Sequence, residues 1–579
     1  MQSGRFARKA DCRKGEKMKK TIGIIAFLLS VLLLFSSCLG GGDGSSASDK
    51  PSSENSESIS DDGNSESDEP TSESEERSES EEDSEKPDDY SDILKDYEKS
   101  SAVTQFPSED LAKVNVKPTF DISDCVYDAE GIIVPYQLFG DGMILQRDAV
   151  NKIWGTIENL EGNKHIAATF RGRTYYGEVK DDKWEIYFPK MTAGGPFEIT
   201  LICDWGTKTI KDVYVGEVYL LSGQSNMEWK TGWSEDVLAD LYSDENACRN
   251  DKIRLLSLGG KFRDQPTKTL TTPPIWEGAN SSSIPNFSAV GYIFGKKLQE
   301  TLDCPVGLVC TAIGGSIIES WMDEETYDEY KKNNETACDD SAIWKMPNQG
   351  FNGMIYPLEG FNFRGVCWYQ GCSNVYGTEG HHDNALRSLI SCWRKFFKNP
   401  ELTFSISELA RFHENTIAYS TINEKIGIVA REDKFVCNAI NLDQGEWGDI
   451  HPRDKRMIGT RLSSETLRNF FGCNENAAPE VIAHRVISDK EVRLVMSEAV
   501  VLKNGANGFE VLTESGYSSQ CNVTLNGNAI TVTSSVPFTA VRYGYNFAKT
   551  AEIVEDFTKT ITIYDEEGLP CDMFLINLK

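Results

Sequence analysis

From Val114 to Asp212, apolar and polar positions alternate in short runs separated by turn residues. The runs include Met143-Ile144-Leu145-Gln146, Lys152-Ile153-Trp154-Gly155, Thr174-Tyr175-Tyr176, Trp184-Glu185-Ile186-Tyr187 and Phe197-Glu198-Ile199-Thr200. Strands recurring about every ten residues predict an all-β, sandwich-like domain over 114–212. The texture changes at Val213. Val218-Tyr219-Leu220-Leu221 is an unbroken apolar run that reads as a buried strand, and Val306-Gly307-Leu308-Val309-Cys310 is another. Between them, Val290, Ile293, Phe294 and Leu298 fall on one face of a helix that Ser288 would cap. A second helix follows His451, with Met457, Ile458, Leu462 and Leu467 as its inner face. Strands alternating with helices predict an α/β domain over 213–475. Short β runs return over 476–579, among them Val492-Arg493-Leu494-Val495, Ile530-Thr531-Val532-Thr533 and Val541-Arg542-Tyr543. They predict a C-terminal β domain.

The N-terminal part has a different pattern. Lys19-Lys20 precede an apolar run from Thr21 to Phe35, followed by Ser36-Ser37-Cys38. The run is short for a membrane-spanning helix, which needs about 20 residues, and suits the apolar region of an export signal. The small residues before Cys38 resemble a bacterial lipoprotein cleavage site. Residues 1–38 are therefore expected to be a lipoprotein-type signal, with Cys38 the lipidated residue. An ordinary secretory signal or an uncleaved anchor are the alternatives, and all three place the protein outside the cytoplasm. Residues 39–113 are dominated by Ser, Glu, Asp and Gly. Such a stretch cannot bury enough apolar surface to offset chain entropy, so it is expected to be an acidic, disordered spacer.

Composition changes the picture in two ways. Of the 579 residues, 39% are hydrophobic and 10% aromatic, as in a globular protein. The net charge of −31 is concentrated in the spacer, where residues 41–90 hold nineteen acidic and three basic side chains. The folded part shows no Lys/Arg stripe, so nucleic-acid binding is not expected. The fifteen cysteines are irregularly spaced and form no CxxC. Cys203, Cys310 and Cys367 lie in apolar runs and read as core residues.

The candidate chemistry sits at the ends of four apolar runs. The first ends in Gly223-Gln224-Ser225-Asn226, and the second leads to Gly314-Gly315-Ser316 and then Ser320-Trp321. The third, Val366-Cys367-Trp368-Tyr369, leads to Gln370-Gly371-Cys372-Ser373-Asn374. The fourth segment, Gly448-Asp449-Ile450-His451-Pro452, opens the late helix. Strand ends at one edge of a parallel sheet converge in space. Together the segments supply an acyl-transfer set. Ser225 would attack a carbonyl, His451 would take and return the proton, and Asp449 could hold the imidazole. The N–H groups of Ser225 and Gly315 (or Gly314), with the side chain of Gln370 or Asn374, could bind the oxyanion. Gln224, Asn226, Trp229 and Trp321 are candidate substrate contacts. Cys372 as a rival nucleophile, His413 as a rival base and His381-His382-Asp383 as a metal site carry less weight. No metal or other cofactor is expected.

These blocks resemble those of the sialate O-acetylesterase family, in the SGNH-hydrolase superfamily. The blocks are Gly223-Gln224-Ser225-Asn226-Met227, Gly314-Gly315-Ser316 with Trp321, Trp368-Tyr369-Gln370-Gly371 and Asp449-Ile450-His451-Pro452. Met143–Arg147, Asn352-Gly353-Met354-Ile355 and Tyr564–Pro570 are similar to family segments too. The resemblance implies a three-layer α/β/α catalytic domain flanked by N- and C-terminal all-β domains. It also implies metal-independent hydrolysis of O-acetyl groups on a glycan, with Ser225 as nucleophile and His451 as base. Family members usually carry Glu at the position of Cys372. Asp449 lies two residues before His451, where the superfamily commonly places its acid three before, so a backbone carbonyl could orient the imidazole instead. The expected protein is a lipid-anchored esterase on the outer face of a bacterial membrane. Two alternatives stand beside it: an esterase acting on plant polysaccharide such as acetylated xylan, and a surface glycan-binding protein without catalysis. If the sugar is sialic acid, its carboxylate calls for a cation, and Arg364, Arg411 and Arg431 are available.

Overall fold

The computed structural model describes residues 109–578, apart from 126–131, 159–163, 260, 271, 415 and 546–555. The signal segment, Cys38 and most of the acidic spacer lie outside the described residues.

The centre of the molecule is a run of six parallel strands. In spatial order they are Asn250–Ser257, Val306–Cys310, Gly206–Gly223, Gly365–Tyr369, Thr403–Ser407 and Val436–Ala439. Val218, Tyr219, Leu220 and Leu221 have no exposed surface, as expected for a strand covered on both faces. Chain order reverses on either side of Gly206–Gly223, since its neighbours come from residues 306–310 and 365–369. The crevice beyond the carboxyl ends of strands at such a reversal is where open α/β sheets bind ligands.

Helices connect these strands and pack in pairs. Ala289–Leu302 lies against Arg456–Phe471, and His382–Phe396 against Thr416–Glu432. Ser288 caps the first through its hydroxyl, which accepts the Gly291 N–H at 3.0 Å. In Arg456–Phe471, Ile458, Leu462 and Leu467 face inward, whereas Met457 is 43% exposed. Met457 therefore does not belong to the inner face expected from the sequence. It lies one position, about 100° of helix, from Ile458.

The N-terminal β region is not a separate layer. Its antiparallel strands run in the order Ile133–Pro135, Asn151–Ile157, Lys183–Phe188, Arg173–Lys180, His165–Phe170, Gly194–Cys203, and end on Gly206–Gly223. That last strand is eighteen residues long. It passes straight through the 212/213 position at which the sequence pattern changes, so the antiparallel and parallel strands form one mixed sheet with a shared core. The C-terminal part has two four-stranded antiparallel sheets, a two-stranded ribbon and its own apolar core around Leu494, Val511, Val532 and Tyr543.

A buried ion cluster fixes the start of the Ser225 strand. Glu217 is fully buried and accepts from Arg364 Nε at 2.8 Å, from Gln146 Nε2 at 2.9 Å and from Arg147. Burial pushes its carboxyl upward, but the two guanidinium groups outweigh it and hold the group below the usual range. Every cysteine among the described residues is unpaired.

Candidate active site

Ser225 opens a single helical turn, Ser225–Glu228, immediately after its strand. Three other loops are bonded to this turn or to the two residues before it. The Gly223 carbonyl accepts the Ile313 N–H at 3.1 Å. Gln224 Oε1 accepts the N–H groups of Gly371 at 3.0 Å and Ser373 at 3.3 Å. Asn226 Nδ2 donates to the Ile450 carbonyl at 3.1 Å. The loops carrying Gly314, Gln370 and His451 are thus each tied to a residue beside Ser225.

Gly223 makes the approach possible. Its φ is +130°, in the region that favours glycine, and a Cβ there would lie 2.2 Å from the Tyr369 carbonyl oxygen. Only a hydrogen leaves room for the two strands to pair up to the turn.

His451 Nε2 lies 2.8 Å from Ser225 Oγ. Asp449 Oδ1 accepts the His451 backbone N–H at 2.8 Å and lies 3.2 Å from Nδ1 of the same residue. Partial burial raises the Asp449 carboxyl, but its bonds to the His451 ring and backbone prevail and hold it below the ordinary value. Trp229 stacks on the imidazole with centroids 5.1 Å apart and planes at 22°. Its indole N–H is spent on Ser234 Oγ at 3.0 Å. Trp229 therefore supports the histidine ring.

Several expected contacts are placed elsewhere. Gly314 gives its N–H to Glu228 Oε2 at 2.6 Å, so it is not an open donor. The N–H groups of Gly315 and Ser225 have no hydrogen bond among the described residues. Gln370 is fully buried and donates to the Ser316 carbonyl and to Asn374 Oδ1. Asn374 donates to Glu319 Oε2 at 3.1 Å and accepts the Ile318 N–H. These two amides brace their loops and do not face a ligand. Gln224 and Asn226 are likewise buried and committed to the loop bonds above. Trp321 has no exposed surface, and its N–H donates to Ser316 Oγ, so it offers no face to a sugar; the same holds for buried Trp368.

The rival candidates are in other settings. Burial pushes the Cys372 thiol up to about 11, which keeps it neutral. His413 donates through Nδ1 to the Trp447 carbonyl and stacks on that ring. His382 is buried and not solvated, and burial takes its imidazole down to about 4. No cluster of three or more His, Cys, Asp or Glu side chains suited to a metal occurs among the described residues. Arg364 is bound to Glu217, Arg411 to the Leu442 and Gly544 carbonyls, and Arg431 to Asp572. A cavity of about 690 Å³ lined by Arg387, Arg394, Lys395 and Glu432 includes none of these residues.

Two groups escape a reading of the sequence. Glu228 is one helical turn from Ser225, and burial raises its carboxyl despite the Gly314 N–H. Lys455 is fully buried, with Nζ 2.5 Å from Asn226 Oδ1 and over the Trp229 ring. Burial lowers its amine to about 7, against the attraction of Asp449 and Glu446. The spacing Ser225-x-x-Glu228 and His451-x-x-x-Lys455 could have suggested both.

Residues 215–467 match the family model described as carbohydrate esterase, sialic acid-specific acetylesterase. The chain is similar to the sialate O-acetylesterases, and these likenesses make it a carboxylic ester hydrolase. The sialate O-acetylesterases of Pongo abelii and Homo sapiens are each 26% identical to it over 365 residues, covering 55% of this chain and 68% of theirs. A solved carbohydrate acetylesterase from Xanthomonas citri superposes with a TM-score of 0.68 at 25% identity, covering 77% of this chain and all of that one. In the esterase, the matched segment begins inside the Ser225 strand and ends within the helix that follows His451.

Proposed function

We propose that this esterase is a lipid-anchored, extracellular enzyme that removes O-acetyl groups from glycans through Ser225 and His451. The parallel sheet and its paired helices form the three-layer α/β/α unit of an SGNH-type hydrolase, with β regions at either end. One observation carries the reading: the 2.8 Å separation of His451 Nε2 and Ser225 Oγ at the end of the central strand. In the first step Oγ bonds to the acetyl carbon as its proton passes to Nε2. The N–H groups of Ser225 and Gly315 stabilise the oxyanion. The bond to the sugar oxygen then breaks, and Nε2 returns the proton to that oxygen. Water, deprotonated by His451, attacks the acetyl carbon, the bond to Ser225 Oγ breaks, Nε2 returns the proton to Oγ, and acetate leaves. Asp449 holds the imidazole in the tautomer that accepts at Nε2.

A fluorophosphonate reagent, which phosphonylates activated serines, tests the nucleophile. Modification should map to the peptide containing Ser225 and vanish in His451→Ala. Modification at another serine would overturn the assignment. The anchor rests on Lys19-Lys20, the apolar run to Phe35 and Cys38. Cys38→Ser should move the protein from the membrane fraction to the soluble one; unchanged partition would remove lipidation from the account.

A further inference from the structure

Two tryptophans that do not hold the Ser225–His451 pair stand open beside it. Trp344 lies on the 3-10 turn Ile343–Lys345 and is 42% exposed. The edge of its indole packs on Gly315, where a Cβ would lie 3.1 Å from both Cδ1 and Nε1. On the preceding Gly314, a Cβ would lie 3.4 Å from Ser225 Cβ. The indole is thus seated one residue from the serine. Its main chain is tied down, since the Trp344 carbonyl accepts the Ser320 hydroxyl at 2.9 Å and the Ile317 N–H at 3.3 Å. On the histidine side, Trp233 is 51% exposed and meets Trp229 edge-on, with centroids 5.4 Å apart at 89°. Trp229 in turn stacks on His451. Leaving indole surface in water forgoes about 25 cal/mol per Å². Exposed indole surface beside a reactive pair suits the C–H faces of a pyranose ring.

Charge narrows the ligand further. Glu228 Oε2 is committed to Gly314, and Oε1 has no hydrogen bond among the described residues. A carboxylate at this position accepts from a sugar hydroxyl and repels an anionic sugar. The arginines that could have met a sugar carboxylate are bound elsewhere, and the charge of Lys230 is faced by Glu228 and by the Trp233 ring, 5.8 Å from Nζ to centroid.

We propose that Trp344 and Trp233 are sugar-stacking subsites on the two sides of the ester, with Glu228 accepting a ring hydroxyl, so that the substrate is an uncharged acetylated oligosaccharide or polysaccharide. The proposal rests on the esterase reading for the position of the ester, and the test separates the two. Acetylated xylo-, cello- and mannotetraose, O-acetylated sialic acid and 4-nitrophenyl acetate are offered to wild type, Trp344→Ala, Trp344→Phe and Trp233→Ala. Trp344→Ala should raise KM for the best tetrasaccharide about tenfold, the equivalent of one stacked ring. Its loss of kcat/KM there should exceed that on 4-nitrophenyl acetate at least about fivefold, with Trp344→Phe recovering much of the difference. Trp233→Ala should act in the same direction. Unchanged KM in both alanine variants overturns the proposal, as does a higher kcat/KM on O-acetylated sialic acid than on every tetrasaccharide. If wild type hydrolyses none of the esters, the esterase reading fails. Binding of the unacetylated tetrasaccharides, followed by tryptophan fluorescence, then decides the subsites. Binding weakened by Trp344→Ala supports them, and no binding to wild type ends the proposal.

Discussion

His451 and Ser225 are 226 positions apart in the chain and 2.8 Å apart in space. The histidine is oriented mainly from its own loop. Asp449 Oδ1 receives the His451 backbone N–H at 2.8 Å and the ring at 3.2 Å, while Trp229 fixes the plane of the ring. Asp449 is 45% exposed at its side chain, so water competes for its contact with the ring. Asp449→Ala is expected to lower kcat by about 10- to 100-fold, less than loss of the serine or histidine. A loss equal to that of His451→Ala would show that Asp449 does more than orient the ring.

Gly223 is expected to tolerate no side chain. Gly223→Ala places a methyl carbon 2.2 Å from the Tyr369 oxygen on a backbone at φ +130°. The two strands must part just before Ser225. The variant should lose more than about 1 kcal/mol of stability together with most of its activity. A thermal scan beside an acetate-release assay checks this, and wild-type values in both would contradict the packing described.

The Glu217 cluster lies at the other end of the buried strand segment. Removing one partner leaves an uncompensated charge in the interior, so Arg364→Ala should cost about 3–5 kcal/mol. Where the variant remains folded, its KM should stay near that of wild type, since Arg364 touches nothing at Ser225. Denaturant titration and steady-state kinetics separate the two effects. Intact stability would mean that water, not protein, surrounds Glu217.

Lys455 gives stability a pH dependence with a definite sign. Its amine titrates at about 7 in the folded protein, against 10.5 in the unfolded chain. Between these values the unfolded chain binds the proton and the folded protein does not, so this group makes stability rise with pH. Below about pH 7 both states are protonated and the cost of the buried charge is fully felt. Relative to Lys455→Met, wild type should therefore gain stability from pH 7 to 10. A loss over that interval would mean that the amine is held charged by its neighbours.

What the sequence made legible was local and periodic. Ser288 at the start of an amphipathic stretch announced its helix, because a cap and a 3.6-residue repeat are both contained in the residues themselves. The convergence of residues 223–226, 314–315 and 370–374 could be expected because each follows an apolar run, and parallel strands deliver such ends to one edge; residues 449–451 instead lead into the late helix. Side-chain commitments were not legible. Gln370 and Asn374 are amides next to a strand end, as a ligand-binding amide would be, and only the folded neighbours show that their donors go to Ser316 and Glu319. Trp321 and Trp344 are both tryptophans in the connection after one strand. Burial separates them, and it depends on partners distant in sequence: Trp321 packs against Trp368, while Trp344 rests on a glycine and faces water. The change of pattern at 212/213 falls within one strand, Gly206–Gly223. A long strand can serve an antiparallel sheet with its first half and a parallel one with its second, and its hydrophobicity changes where its neighbours do.

The most direct test of the central claim is acetate release from an acetylated glycan by wild type and by Ser225→Ala, with the fold of the variant verified by its unfolding temperature. The account predicts a loss of at least about 10³-fold in kcat with an unchanged unfolding temperature. Wild-type turnover by a folded Ser225→Ala would contradict it.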